Sequence, residues 1–508
     1  MTELTPPKYS TFEKYMITIT VMLAAIIEIL DTTIVNVSLP HMMASFSAST
    51  DQITLVLTGY IVSSAILMPL TGLFIRRMGV RRLLLSNIVG FLIASMLCGL
   101  SESLAQIVFF RVLQGVFGAS LVPLSQYILR NTFEQHEQGK AMAIWGLGIM
   151  VGPILGPTLG GHITEALNWR WIFYINLPIC IIAFLMTLRF IKESVQQKEM
   201  IDWLGLGLMS VSIGSLQIML DRGQNDNWFD SGFIMGCAIT AFITGAIFIY
   251  RGCHIKNNII NLSLFKERNF TISTVILSLF VVIFFGNMIL QPIMLETLMG
   301  YPSDVTGNVM APRGIASAIS MILVARLMTR VDHRVLIGSG ILLAAFGTYQ
   351  MTFFTLNGSM WTYIAPSITQ GFAMGLVFVP LSSSAFNYLE QNRIGDAAGL
   401  YSFGRSLGSS IGISCLTTMM IHQSQVHWSY LREHIQPANP HYLQWAHAQN
   451  YQINAKSTLQ AASSLVQRQS EMLGFIDVFW ASTFILCLLA ILVFFLKKGA
   501  SQKAANLE

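Results

Sequence analysis

The strongest constraint on this chain is a recurrence: fourteen apolar segments of membrane-spanning length follow one another along its 508 residues. They lie near 16–38, 53–75, 83–100, 104–129, 141–163, 171–190, 203–220, 232–250, 270–295, 304–328, 335–355, 360–385, 397–421 and 475–496. A helix needs roughly 20 predominantly apolar residues to cross hydrocarbon. Backbone polar groups have no water to bond there, so each segment must satisfy its own, which at these lengths means an α-helix. Composition agrees, with 53% hydrophobic and 11% charged residues, against about 25% charged in an ordinary soluble domain. The expected fold is an all-α polytopic membrane protein.

Loop charge sets the orientation. Arg76, Arg77, Arg81, Arg82, Arg130, Lys140, Lys192, Lys198, Lys256, Lys266, Arg268, Arg330, Arg334 and Arg393 fall in one set of alternate loops, and Lys497 and Lys498 follow the last segment. The opposite loops hold Arg170, Arg222, Arg432, Lys456 and Arg468. The positive-inside bias places the first set, and with it both termini, in the cytoplasm. A net charge of +5 carried by these short loops gives no reason to expect nucleic acid as a partner. The polar start, with Lys8 and Lys14, leads into an apolar run with acids and no small-residue cleavage site, which reads as a retained first span. Cysteines 98, 180, 237, 253, 415 and 487 lie in or beside apolar segments without metal-type spacing. No phosphate-binding Gly-rich loop is present, so neither ATP-driven transport nor catalysis is expected, and no cofactor.

The chain also echoes itself. Segment 4 carries Gln114-Gly115, Gly118 and Pro123, and segment 12 carries Gln370-Gly371, Gly375 and Pro380 at nearly the same offsets. Segment 5 has glycines at 148, 152, 156 and 160, and segment 13 has them at 404, 408 and 412. Segments 7 and 8 have no counterpart. The expected organisation is a cytoplasmic start (1–15), a six-helix bundle (16–190), two inserted helices with linkers (191–269), a second six-helix bundle (270–496) and a tail (497–508). Small residues four apart also pack helices without further meaning. In register, however, they suggest two related halves that alternate access to a site between them.

Ionisable groups inside the spans cost about 2.5–3.5 kcal/mol each on insertion scales. Glu28 and Asp31 share one face of segment 1, three residues apart. Asp31 lies nine residues before Pro40, roughly 13 Å along a helix axis, and Arg111 enters segment 4 to roughly 10 Å from the same side. The two therefore reach similar depth. Desolvation disfavours an isolated carboxylate and a nearby Arg restores it, so relative helix motion could load and release a proton. A static pair that fixes packing is the other reading, and for Glu28 both stay open. Arg313 and Arg405 fall near mid-span and must line water, pair or snorkel. The candidate cavity residues are Gln114, Asn36, Arg313, Arg405 and Gln370.

Several stretches resemble the fourteen-span drug:proton antiporters of the major facilitator superfamily. The segment Leu30-Asp31-Thr32-Thr33-Ile34-Val35-Asn36-Val37-Ser38-Leu39-Pro40 is similar to their first-span signature. Gly72 through Arg82 is similar to the superfamily loop motif, and Arg111 with Gln114-Gly115 to its span 4 motif. Gly148, Gly152-Pro153, Gly156-Pro157 and Gly160-Gly161 resemble the antiporter motif, which the family associates with export. Trp169 to Pro178 and Asn261 to Phe265 extend the likeness over nearly the whole chain. The resemblance implies a major facilitator fold arranged 6+2+6 and a proton-driven exporter of hydrophobic or amphipathic drugs in a bacterial inner membrane. It implies Asp31 as the coupled acid, Arg111 as its tuner, and Gly148, Gly152, Pro153, Gly156 and Pro157 as hinge and packing positions. It gives Gly72, Arg76, Arg77, Gly79 and Arg81 a gating role. Two departures stand out: the family often has an acid at the position of Arg76, and a small or apolar residue at that of Arg313.

The resemblance further implies a periplasmic adaptor and an outer-membrane channel as partners. The long polar loop at 422–474, expected on the periplasmic side, is the place to look for adaptor contact. It holds Trp428, Trp445, Tyr430, Tyr442 and Tyr451 and an amphipathic helix with Leu459, Ala462, Leu465 and Val466 on one side. A helix lying on the bilayer or capping the transporter is the alternative. His427, His434 and His441 recur every seven residues, but Pro437 and Pro440 interrupt any helix that would align them for a metal. Export of one endogenous siderophore, fatty acid or lipid, uptake by symport, and a non-transporting receptor are the functional rivals.

Overall fold

A computed structural model describes residues 9–134, 137–194, 196, 202–255, 259–436, 439–449 and 455–497. Regular structure among them is helical, with no strand. The long helices are α1 (Thr11–Phe46), α2 (Leu55–Met78), α3 (Val80–Leu100), α4 (Leu104–Thr132), α5 (Gln138–Ala166), α6 (Trp171–Phe190), α7 (Trp203–Arg222), α8 (Gly232–His254), α9 (Arg268–Leu298), α10 (Ser303–Leu327), α11 (His333–Met351), α12 (Met360–Phe386), α13 (Ile394–Arg432) and α14 (Lys456–Leu492). Among the described residues, 11 helices are long and apolar enough to cross a membrane; α5, α11 and α13 complete the packing outside that set. Lys198, Lys256, Lys498, Lys8, Pro437 and Tyr451 lie outside the described residues.

Caps fix several helix starts at the water boundary. Ser10 and Glu13 form a capping box at α1, with Ser10 N donating to Glu13 Oε2 at 2.8 Å and Glu13 N to Ser10 Oγ at 3.2 Å. Asp202, Glu267 and Asp332 are simple N-caps of α7, α9 and α11, each side chain accepting a backbone N–H. Gly79, between α2 and α3, takes a φ of 81°, which a residue with a Cβ rarely adopts.

The echo in the sequence is an echo in space. In the first half α1 packs on α5, α4 and α6, while α2 packs on α4 and α3 on α4 and α6. The second half repeats each pair eight helices later: α9 on α13, α12 and α14, α10 on α12, α11 on α12 and α14. Glycines make the closest approaches. A Cβ at Gly156 would stand 2.0 Å from Thr33 Oγ1 of α1, and one at Gly412 would stand 2.0 Å from the Val282 carbonyl oxygen of α9. A Cβ at Gly115 would lie 2.5 Å from the Tyr60 carbonyl of α2, and one at Gly371 would lie 2.0 Å from that of Arg313 in α10. The halves meet along α5 with α10 and α12, and along α13 with α2 and α4, which is again the same pair of contacts repeated.

Helices α7 and α8 pack on each other, and α7 also touches both halves. Asp221 of α7 accepts a hydrogen bond from Thr58 of α2. On its other side Gln217 donates to Ser410 of α13 at 2.7 Å, and Ser414 donates to the Leu220 carbonyl at 2.5 Å.

The stretch 422–474 corrects the expectation of a long polar loop. Helix α13 continues to Arg432 and α14 begins at Lys456, with a short helix, Pro440–Ala448, between them. The expected amphipathic helix is thus the outer end of α14. Its packed face runs through Thr458, Ala462 and Ser470, while Leu459 and Leu465 are 43% and 48% exposed. Small residues set that face because α14 packs closely on α13 there: a Cβ at Gly474 would lie 2.8 Å from the Met420 carbonyl.

Candidate functional site: a buried ion pair and an unpaired arginine

Asp31 and Arg111 are both fully buried, and Arg111 Nη1 donates to Asp31 Oδ2 at 2.5 Å. The axial estimate from the sequence therefore placed them correctly at one depth. Around them the remaining polar capacity is largely used. Arg111 Nε donates to the Val56 carbonyl at 3.1 Å and Nη1 also to Gln114 Oε1 at 2.9 Å. Gln114 Nε2 and Asn176 Nδ2 donate to Asp31 Oδ1 at 2.9 and 3.1 Å. Asn176 also donates to Ser95 Oγ at 3.0 Å, and Ser95 to the Phe173 carbonyl at 2.9 Å. The Tyr60 ring lies 4.3 Å from the guanidinium carbon of Arg111. Helices α1, α2, α3, α4 and α6 thus converge on one carboxylate. Charge-assisted bonds in a dry site are strong, and a half-satisfied network there would be costly.

This arrangement differs from the sequence expectation at Gln114. Expected beside a cavity, it is fully buried and wired to the ion pair, with its Oε1 3.6 Å from the Cys98 sulfur. Its counterpart Gln370 behaves alike, donating to Met351 Sδ of α11 at 3.2 Å. Asn176 and Ser95 were not singled out in advance. The signal for Asn176 was an amide inside the Trp169–Pro178 motif, and Ser95 carried none.

Glu28 sits one turn from Asp31, 6% exposed, with no hydrogen-bond partner for Oε2. Arg405 of α13, in the other half, is the cation whose charge acts on it. Arg313, 5% exposed, donates to Gln291 of α9, and Gln291 Nε2 in turn donates to Ser367 Oγ of α12 at 3.0 Å. Asn36 is exposed on the outer part of α1.

The loop-motif residues cluster at the end of the bundle where the basic loops lie. Arg76 Nη1 bonds Asp396 Oδ1 at the start of α13, at 2.7 Å. The position lacks the family's usual acid, yet an ion pair forms there because α13 supplies the acid and α2 the cation. Asp396 escaped notice in the sequence because an acid at the edge of a span reads as a solvated loop residue. Gly72 is the contact point: a Cβ there would be 1.9 Å from Asp396 Oδ1 and 2.5 Å from its backbone nitrogen. Arg81 Nη2 donates to the Leu188 carbonyl at 2.7 Å, Gly79 abuts Glu193, and Arg77 is exposed. At the same end Arg130 bonds Asn387 at 3.2 Å, Gln391 bonds Asn131 at 3.3 Å, and Trp145 stacks on Phe378 with centroids 5.7 Å apart. Of the expected hinge positions, Gly148, Gly152 and Gly156 face α1; the side chains of Pro153 and Pro157 lie outside the described residues.

A profile of the Major Facilitator Superfamily matches residues 21–413. The chain is 36% identical over 494 residues to "Multidrug export protein EmrB" of Escherichia coli (strain K12), covering 95% of each chain. It is 35% identical over 484 residues to "Fatty acid resistance protein FarB" of Neisseria gonorrhoeae, covering 95% of this chain and 96% of that one. Among solved structures, the proton:xylose symporter XylE superposes with a TM-score of 0.64 at 14% identity, covering 98% of this chain and 100% of that one. At that identity the likeness concerns the fold alone.

Proposed function

Because the chain belongs to the major facilitator superfamily, and is a multi-pass membrane transporter and not an enzyme, we propose that it exports small hydrophobic or amphipathic compounds in exchange for protons. The reading places fourteen crossing helices in a bacterial inner membrane, with both termini cytoplasmic. The observation that carries it is the dry Asp31–Arg111–Gln114–Asn176 network built from α1, α4 and α6. A carboxylate held there is stable as an anion only while Arg111 stays against it. When α1 and α4 shift and water enters, a proton on Asp31 replaces the guanidinium as its partner. When the network closes again the pair reforms and the proton leaves. Tying opening on each side to one of those two states couples proton entry to substrate exit. The membrane potential contributes about 2.3 kcal/mol per charge per 100 mV. Glu28, on which the charge of Arg405 acts from the other half, is the second acid this cycle draws on.

The relative named for fatty acid resistance supports a narrower version in which the cargo is an endogenous amphiphile. Both versions share one test. In everted vesicles carrying the protein, adding a transported hydrophobic compound should collapse an imposed pH gradient, and vesicles with Asp31→Asn should hold theirs. A gradient untouched in the first case removes the exchanger reading.

The proposed partners are an adaptor protein outside the membrane and an outer-membrane channel. The surface for the adaptor is the outer end of α13 and α14, where Tyr430, Leu459 and Leu465 are exposed. Replacing Tyr430, Leu459 and Leu465 together by serine should leave vesicle exchange within twofold of wild type and lower cellular resistance severalfold. Unchanged resistance would remove the docking role.

A further inference from the structure

We propose that Arg313 anchors the acidic head group of an amphipathic anion, in a site of the second half that mirrors the Asp31–Arg111 site of the first. The inference rests on the exporter reading above and names the charge of its cargo.

By the Gln-Gly echo, Ser367 stands in α12 where Arg111 stands in α4. In the first half, α1 brings a carboxylate to that level of α4. In the second, α9 brings the neutral amide of Gln291 to Ser367, and α10 inserts Arg313 beside them. The geometry therefore repeats, but the acid is missing. Arg313 Nε and Nη1 have no hydrogen-bond partner, and the side chain is 95% removed from solvent by its 5% exposure. Among the described residues, the buried acid of the second half is Asp396, which is bound to Arg76 at the basic end.

Two further orphans lie on the same stripe of α10. Thr306 and Ser317, seven residues before and four after Arg313, are 3% and 2% exposed, and neither hydroxyl has a partner. Positions 306, 310, 313 and 317 follow the helical repeat, so this is one face and not three accidents. A water molecule can satisfy a hydroxyl. It cannot neutralise a guanidinium at this depth, where an uncompensated charge is expensive. The bidentate partner that suits a guanidinium is a carboxylate or phosphate. The neighbouring apolar cluster, with Leu290, Met294 and Val309 fully buried, suits an alkyl or aryl tail on the same ligand. Both helices are locally irregular beside the site. Pro312 precedes Arg313 within α10, and α9 passes into a π-turn, Met294–Leu298, just beyond Gln291.

The test uses three probes with one tail and different heads: dodecanoate, dodecanol and dodecyltrimethylammonium. Binding is measured on the full chain in nanodiscs of neutral phosphatidylcholine, for wild type, Arg313→Gln and Arg313→Lys. Thermal unfolding of each variant excludes misfolding. Wild type should bind dodecanoate roughly tenfold or more tightly than either other probe. Arg313→Gln should erase that preference, and Arg313→Lys should keep part of it. No preference in wild type, no dodecanoate binding, or a preference that survives Arg313→Gln each overturns the proposal. So does loss of dodecanoate binding when half the lipid is phosphatidylglycerol, since the occupant is then bilayer lipid. The exporter reading fails separately, through the vesicle assay.

Discussion

At the scale of single residues, the Asp31–Arg111 pair makes opposite demands on stability and function, and these can be separated. Removing one partner of a buried pair leaves an uncompensated charge and typically costs about 3–5 kcal/mol. Asp31→Asn and Arg111→Gln should therefore each lower the melting temperature of the purified protein by several degrees. The double variant should recover most of that loss, because amides at both positions can bond each other and the remaining partners. Coupled transport should stay absent in all three. Recovered stability with recovered coupling would show that the pair only packs helices. The charges of this site were legible in the sequence because an acid and an arginine at bilayer depth are expensive, and a fixed rise per residue gives their depth. Gln114 was legible as important but not as a ligand of the pair. An amide carries no charge to flag it, and its partners come from other helices. Gln291 stayed hidden for the same reason, and with it the setting of Arg313.

At the scale of helices, the recurring glycines act through distance. Val282 presents a backbone carbonyl to Gly412, and nothing flexible stands in between. Gly412→Ala should destabilise the protein by about 1–3 kcal/mol, the usual cost of overpacking. Gly207→Ala and Gly236→Ala, which have nothing within 4 Å of an added Cβ, should be neutral or slightly stabilising, since alanine loses less backbone entropy in a helix. Melting curves of the three variants decide between close helix contact and mere composition. Such glycines were readable as a pattern and their pairing helix was not, because spacing along one helix does not name its neighbour. Helix ends were the weaker part of the reading. Hydropathy follows the bilayer, whereas α13 and α14 run on past it as ordinary solvated helices to Arg432 and from Lys456.

At the scale of the whole molecule, the two halves form one body that is tied at the basic end and repeated about its middle. The named contacts of α2 and α4 with the α12–α13 link and the start of α13 lie there: Arg130 to Asn387, Asn131 to Gln391 and Arg76 to Asp396. In the exchange cycle proposed above, opening this end breaks this set. The side chain of Arg76 is 22% exposed and that of Asp396 9%, so the pair is partly screened and contributes about 1 kcal/mol. A free energy of that size changes the ratio of two conformers by about fivefold. Spin labels at Arg77 and Arg330, both exposed on opposite halves of this end, should report one short distance when the tie is closed. Asp396→Asn or Arg76→Gln should move about a fivefold larger share of molecules to a longer distance. The double variant should open no further than either single one, because both remove the same interaction. Raising the salt concentration should move wild type toward the variants without moving the variants themselves. If each single change opens the end independently and the effects add, Arg76 and Asp396 act through different contacts, and the gate lies elsewhere along α5 and α13.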